Sequence, residues 1–182
     1  MTPQQLQDWS AQSLDLVERA LEDWVPLEAP AGLGEAMRYG VLDGGKRVRA
    51  LLVLAAAQAV GATRTSEGRD AMLRAAAAVE IIHAYSLVHD DMPCMDNDVL
   101  RRGKPTVHVK FGQAQALLAG DALQALAFEL LTPTEDVVDA STQAKLCRLL
   151  AMSGGCHGMA GGQAIDLANV GQHLNLDQLK HM

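Results

Sequence analysis

Asp70-Ala-Met-Leu-Arg-Ala-Ala-Ala-Ala-Val-Glu-Ile-Ile-His-Ala-Tyr-Ser-Leu-Val-His89 decides the fold, and it runs directly into Asp90-Asp91-Met92-Pro93-Cys94-Met95-Asp96-Asn97-Asp98. At helical pitch its apolar residues, among them Ala75 to Ala78, Val79, Ile81, Ile82, Leu87 and Val88, fall on nearly every face. A helix apolar all round belongs in a core rather than at a surface. The polar exceptions are ordered. At about 100° per residue, Glu80, His83, Ser86 and Asp90 share roughly a third of the circumference.

That stripe ends on an Asp-Asp pair, where like charges repel and the helix macrodipole opposes both. Pro93 stops the helix near Met92, so Asp96 is expected to return toward the pair through a loop. A hard cation such as Mg²⁺ is the natural group to hold these carboxylates together. The plainer reading is a solvated acidic loop, salt-bridged to the arginines that follow. The polar stripe leading into the loop favours the metal site.

Working outward, 182 residues suit one domain with a sizeable core. Apolar residues make up 49% but aromatics only 3%, and alanine is abundant. This composition favours closely packed helices over a β-sandwich. Helices are predicted over 3–24, Glu35–Leu42, Arg47–Val60, Ala114–Leu131 and Gln143–Met152, with a connector at 26–34 and a polar loop at 62–68. No segment has strand period, so the fold class is all-α. Gly155, Gly158 and Gly162 share the spacing of one helical face, which suggests close backbone packing, room for a ligand, or a hinge.

The net charge of −7 argues against a nucleic-acid partner. The longest unbroken apolar run, Ala50 to Ala57, is far short of a membrane span, and the start has no signal-peptide pattern. Cys94, Cys147 and Cys156 show no zinc spacing; reduced thiols in a cytoplasmic protein are the simplest expectation.

Two basic groups therefore read as anion sites. Gly44-Gly45-Lys46-Arg47-Val48-Arg49 places a glycine turn and cations at a helix start, where an anion is favoured. Alone it is a weak signal, and a turn with solvated lysines has the same letters. Arg101-Arg102-Gly103-Lys104 follows the acidic loop at once, and arginine matches phosphate oxygens in pairs. Together these suit a metal–diphosphate complex with two anionic groups.

With these motifs in order, and with Gly161-Gly162-Gln163-x-x-Asp166-Leu167 further on, the sequence resembles the trans-isoprenyl diphosphate synthases, in particular the bacterial farnesyl diphosphate synthase type. The resemblance implies an isoprenoid-synthase-type helical bundle around a central cavity, a homodimer, and isoprenoid diphosphate substrates. Asp90, Asp91 and Asp96 would hold an allylic diphosphate through Mg²⁺, and Arg101 would contact it. Lys46, Arg49, His83 and Arg102 would bind isopentenyl diphosphate, while Gln163 and Asp166 would face the cavity. Tyr85, with Ser86 beside it, would limit product length to fifteen carbons.

The sequence departs from the family at Ala50, where proline is common, and at Val99, where an acidic residue is common. It also ends at Met182, before the Lys-Thr-Gly segment and second aspartate-rich motif of the family. The expectation is thus residues 1–182 as a single helical domain, the N-terminal two-thirds of a synthase. Three alternatives stand beside a farnesyl synthase: a geranyl or geranylgeranyl synthase, a non-catalytic diphosphate-binding subunit, and a metal-dependent diphosphate hydrolase.

Overall fold

The all-round apolar stretch forms a helix of 25 residues, Ser66–Asp90, about 37 Å long. In chain order the helices are α1 (Pro3–Trp24), α2 (Leu33–Val41), α3 (Val48–Ala59), α4 (Ser66–Asp90), α5 (Val107–Phe111), α6 (Gln113–Leu131), α7 (Ala140–Gly154), α8 (Met159–Ala168) and α9 (Leu176–His181). A two-residue hairpin, β1 (Leu100–Arg101) with β2 (Lys104–Pro105), lies between α4 and α5. This computed structural model describes residues 2–134 and 137–181. The chain divides into two compact units, Met1–Asp139 and Ala140–Met182.

In the first unit α4 packs against α1, α2, α3 and α6. Ala76, Ala77, Ala78, Ile81, Ala84 and Val88 of α4 are buried, as are Ala116, Ala119, Gly120, Leu123 and Ala127 of α6. Small side chains on both helices let their backbones approach, and inserting bulk there would cost about 1–3 kcal/mol. By length and composition, α4 and α6 could each cross a membrane. Single polar residues such as Glu80 and Asp121 interrupt their apolar runs, so counting unbroken runs overlooks them. In this fold they pack against each other.

The capping box of α1 is complete: Gln5 N–H donates to Thr2 Oγ1 and Thr2 N–H donates to Gln5 Oε1. Its buried stripe, Ser13, Val17, Ala20 and Leu21, is narrower than the apolar side the sequence suggests. Leu16, about 100° from Val17, is 42% exposed.

Three boundaries differ from expectation. The 62–68 loop is a short 3₁₀ turn, Ala62–Arg64, followed by α4, whose first turn is capped by Thr65 Oγ1 accepting from Gly68 N–H. The hairpin and α5 escape period analysis because they are too short to show one. In the second unit the glycines lie around a break between helices and line no common face: α7 ends at Gly154 and α8 begins at Met159. A Cβ at Gly158 would lie 2.0 Å from the Ser153 carbonyl oxygen, so close backbone packing explains this glycine.

Candidate anion and metal site

Asp90 closes α4, and the chain then folds back as its proline requires. Met95 N–H donates to Met92 O at 2.8 Å, Asp96 N–H to Asp90 O at 2.9 Å, and Asn97 N–H to Met92 O at 3.1 Å. The expected return of Asp96 to the Asp-Asp pair is therefore made by the backbone itself. The two adjacent carboxylates then diverge. Asp91 is 3% exposed and is clamped by Arg101, whose Nε donates to Oδ1 at 2.9 Å and Oδ2 at 3.0 Å while Nη2 donates to Oδ1 at 2.6 Å. Asp98 adds a longer ion pair to the same guanidinium, 3.8 Å.

Asp90 stays partly open. Burial, then the nearby Asp96 carboxylate, pushes its carboxyl above the ordinary value of 3.8; Asp91 adds to this and Arg101 opposes it. A proton or a cation would relieve that repulsion. Among the described residues no group of three or more His, Cys, Asp or Glu side chains could hold a metal ion unaided. A Mg²⁺ ion, where bound, keeps several waters and takes one or two carboxylates plus substrate phosphates rather than an all-protein cage. Asp90 and Asp96 fit this pattern, with Asp91 already neutralised by Arg101.

The hairpin directs the two arginines apart. Leu100 pairs with Pro105 and Arg101 with Lys104, and the turn residues Arg102 (φ 53°) and Gly103 (φ 79°) are both left-handed. Two positive φ values are what a tight two-residue hairpin turn demands. Arg101 thus reaches Asp91, while Arg102 donates through Nη1 to the Gly44 carbonyl oxygen at 2.5 Å. Gly45 permits this crossing: a Cβ there would stand 2.9 Å from Arg102 Nη1, and its φ of +132° is strained for other residues. Lys104 pairs with Asp43, and Tyr39 donates to the Pro105 carbonyl oxygen at 2.8 Å, so α2 and the residues after it anchor the hairpin.

Lys46, Arg49, His83 and Arg102 line one cavity of about 330 Å³ together with Gly44 and Gly45. Residues from three separate stretches of the sequence, 46–49, 83 and 102, are thereby brought to one cavity. Burial, then Arg49, lowers the His83 pKa below 6.5, with Arg102 and Arg101 adding to this against Glu80.

Arg47, in the middle of the basic run, behaves differently from its neighbours. Lys46 and Arg49 are exposed, whereas Arg47 is buried at 7% exposure. It donates to Glu18 (2.7 and 3.2 Å) and to the Val41 carbonyl oxygen (2.8 Å), and lies 3.6 Å from Glu80. Sequence spacing gave no sign of this, because both acidic partners are distant in the chain. Glu80 belongs to the polar stripe of α4, but its carboxylate accepts from Ala50 N–H at 3.1 Å. Of the two departures, Ala50 therefore uses the N–H that proline lacks, and Val99 turns an exposed side chain outward.

Tyr85 and Ser86 are half-buried on α4. Tyr85 meets His89 edge-on with centroids 5.2 Å apart, and Ser86 Oγ donates to the His83 carbonyl oxygen at 2.8 Å. Gln163, half-buried, and Asp166, exposed, lie on α8 in the second unit.

The first unit is thus an α-helical bundle whose central helix ends on carboxylates beside Arg101, with Lys46, Arg49 and Arg102 lining a cavity that includes His83. A family profile described as polyprenyl synthetase matches residues 30–182. The chain is 49% identical over 152 residues to the farnesyl diphosphate synthase of Haemophilus influenzae, covering 82% of this chain and 49% of that protein. It is 46% identical over 170 residues to a chloroplastic heterodimeric geranylgeranyl pyrophosphate synthase large subunit of Arabidopsis thaliana, covering 92% and 44%. The crystal structure of an FPP/GFPP synthase from Zymomonas mobilis superposes with TM-score 0.84 at 45% identity, covering 97% of this chain and 63% of that one. The chain belongs to the polyprenyl synthetase family, the trans-isoprenyl diphosphate synthases. It spans about half the length of the curated relatives it matches.

Proposed function

We propose that this chain carries the diphosphate-binding elements of a prenyltransferase that joins dimethylallyl or geranyl diphosphate to isopentenyl diphosphate and forms farnesyl diphosphate. The observation that carries this reading is the separation of two cationic sites by one hairpin. Arg101 stands at the acidic end of α4, and Arg102 stands with Lys46, Arg49 and His83. Farnesyl diphosphate synthases among the relatives support the class, and a geranylgeranyl pyrophosphate synthase beside them keeps the longer product as an alternative.

In this reading Asp90, Asp91 and Asp96 make up the allylic-diphosphate end of α4, with Asp90 and Asp96 best placed electrostatically to hold Mg²⁺ and Asp91 holding Arg101. The bound ion would supply positive charge to the phosphate oxygens. Arg101 adds a fixed cation, already oriented by Asp91, so no reorganisation is needed as negative charge builds on the leaving group. The allylic C–O bond breaks and leaves a carbocation. The double bond of isopentenyl diphosphate attacks it to form the new C–C bond, and a proton departs to the released diphosphate. Lys46, Arg49, His83 and Arg102 hold the second diphosphate so that this double bond is presented. Gln163 and Asp166, on α8, keep the substrate-binding role that the family resemblance implies. A homodimer, a cytoplasmic location, and the absence of nucleic-acid partners and stable membrane insertion complete the proposal.

Incubation of a form as long as the curated relatives with geranyl and isopentenyl diphosphates and Mg²⁺ tests it by product analysis, little turnover being expected of the 182 residues alone. A fifteen-carbon diphosphate is expected. Free alcohol would indicate a hydrolase, and substrate binding without turnover would place this polypeptide as a diphosphate-binding subunit.

A further inference from the structure

We infer that Glu80 is a positioning residue that sets the Lys46–Arg49 segment against His83, so that one buried carboxylate fixes the geometry of the second diphosphate site. This rests on the function proposed above for the cavity those residues line.

Glu80 is 3% exposed, and a buried carboxylate is costly unless fully partnered. Its partners all lie on the opposite wall of the cavity. Oε1 accepts from Ala50 N–H at 3.1 Å, inside the first turn of α3. Oε2 lies 3.6 Å from Arg47 Nη1. Arg47 precedes α3 with a left-handed φ of 45°, a conformation strained in a non-glycine residue that persists only where the surroundings enforce it. Here Glu80, Glu18 and the Val41 carbonyl oxygen enforce it together.

The two anchored residues, Arg47 and Ala50, bracket the segment. Lys46 precedes Arg47 and Arg49 precedes Ala50, and both of these cations are exposed toward the cavity they line. On the other wall His83 lies one helical turn beyond Glu80 on α4. Moving the Glu80 carboxylate would therefore move Lys46 and Arg49 relative to His83, while the Asp91–Arg101 clamp, about 15 Å further along α4, would be left in place.

The test is a split between the two substrates. In Glu80→Gln the amide oxygen can still accept from Ala50 N–H, but the charge facing Arg47 is gone. The KM for isopentenyl diphosphate is expected to rise about tenfold, with kcat and the allylic KM within about twofold of wild type. A parallel rise in both KM values, or no rise in either, would overturn the inference. Inorganic pyrophosphate without divalent cation, followed by calorimetry, separates this from the enzymatic reading. Expected are about tenfold weaker binding in Glu80→Gln and loss in Lys46→Ala. That pattern in a chain without turnover would sink the proposed activity and keep the role of Glu80. Unchanged binding in Glu80→Gln, or no binding by wild type, would remove the role itself. If Glu80→Gln does not fold, Glu18→Gln acts on the same arginine from its half-exposed side and is expected to weaken pyrophosphate about threefold. Wild-type affinity there would equally overturn the inference.

Discussion

Arg101 holds Asp91 through three hydrogen bonds of 2.6 to 3.0 Å, while Asp90, the preceding residue, is left to face Asp96. Arg101→Ala would leave Asp91 buried with its charge unmatched. Because Arg101 itself is 33% exposed, solvent shares the load, and the expected loss is about 2–3 kcal/mol rather than the full cost of breaking a buried pair. Arg101→Lys should recover some of the stability, since it restores the charge without the paired geometry. Denaturant titration of the three proteins decides it. Equal stability of Arg101→Ala and wild type would show the clamp to be energetically idle.

His83 makes stability depend on pH in a definite direction. Its folded-state pKa lies below 6.5, because burial and then Arg49, with Arg102 and Arg101 behind it, disfavour the imidazolium more than Glu80 favours it. Below pH 6.5 the unfolded chain therefore takes up a proton that the folded chain refuses, and this contribution is lost as the pH falls to the folded value. His83→Gln is expected to flatten the fall in unfolding free energy between about pH 7 and 5 relative to wild type. Pyrophosphate should flatten it too, since an anion among the guanidinium groups favours the charged ring. Superimposable slopes for wild type and His83→Gln would contradict the assignment.

How much of this was legible in the sequence depends on whether the cause was local. The central position of α4 follows from apolar residues on every face, and the return of Asp96 follows from Pro93. The two cation groups were visible as runs of letters. Burial was not. Arg47 and Arg49 look alike in Gly44–Arg49, yet one is locked to Glu18 and Glu80 and the other is exposed. Only the meeting of α1, α3 and α4 separates them, and no window of sequence contains all three. The hairpin was equally invisible: four strand residues cannot display a period, and the left-handed φ of Arg102 sits on a residue that rarely adopts it. The contact between Gly120 and His89 is likewise a property of two helices.

That contact yields a prediction with a change of sign. A Cβ at Gly120 would lie 2.0 Å from His89 Nε2, which stands 3.0 Å from the Leu117 carbonyl oxygen. Gly120→Ala must displace the ring or spread α4 from α6, at an expected cost of about 1–3 kcal/mol. In a His89→Ala background the obstacle is gone, and alanine in mid-helix should then stabilise by about 0.5–1 kcal/mol. A double-mutant cycle measured by thermal unfolding reads the coupling directly. The same sign for Gly120→Ala in both backgrounds would refute the steric account.

Under the proposed function, Tyr85 bears on the product rather than the fold. It lies five residues before Asp90 on α4, roughly 7–8 Å back along the axis from the carboxylate. Its ring is braced edge-on against His89 at 5.2 Å, so it is a fixed obstacle rather than a swinging one. If the allylic diphosphate sits at Asp90, a chain extending along α4 meets this ring once it has grown by a few isoprene units. Tyr85→Ala, in a form that turns over, is expected to shift the main product from fifteen carbons to twenty or more, as the helix geometry places the next obstacle further back. Turnover with isopentenyl diphosphate should persist, since no diphosphate contact is removed. Chromatography of the dephosphorylated products provides the measurement. A product spectrum identical to wild type would mean that the growing chain does not run along this face of α4, and the reason for assigning a farnesyl product would disappear with it.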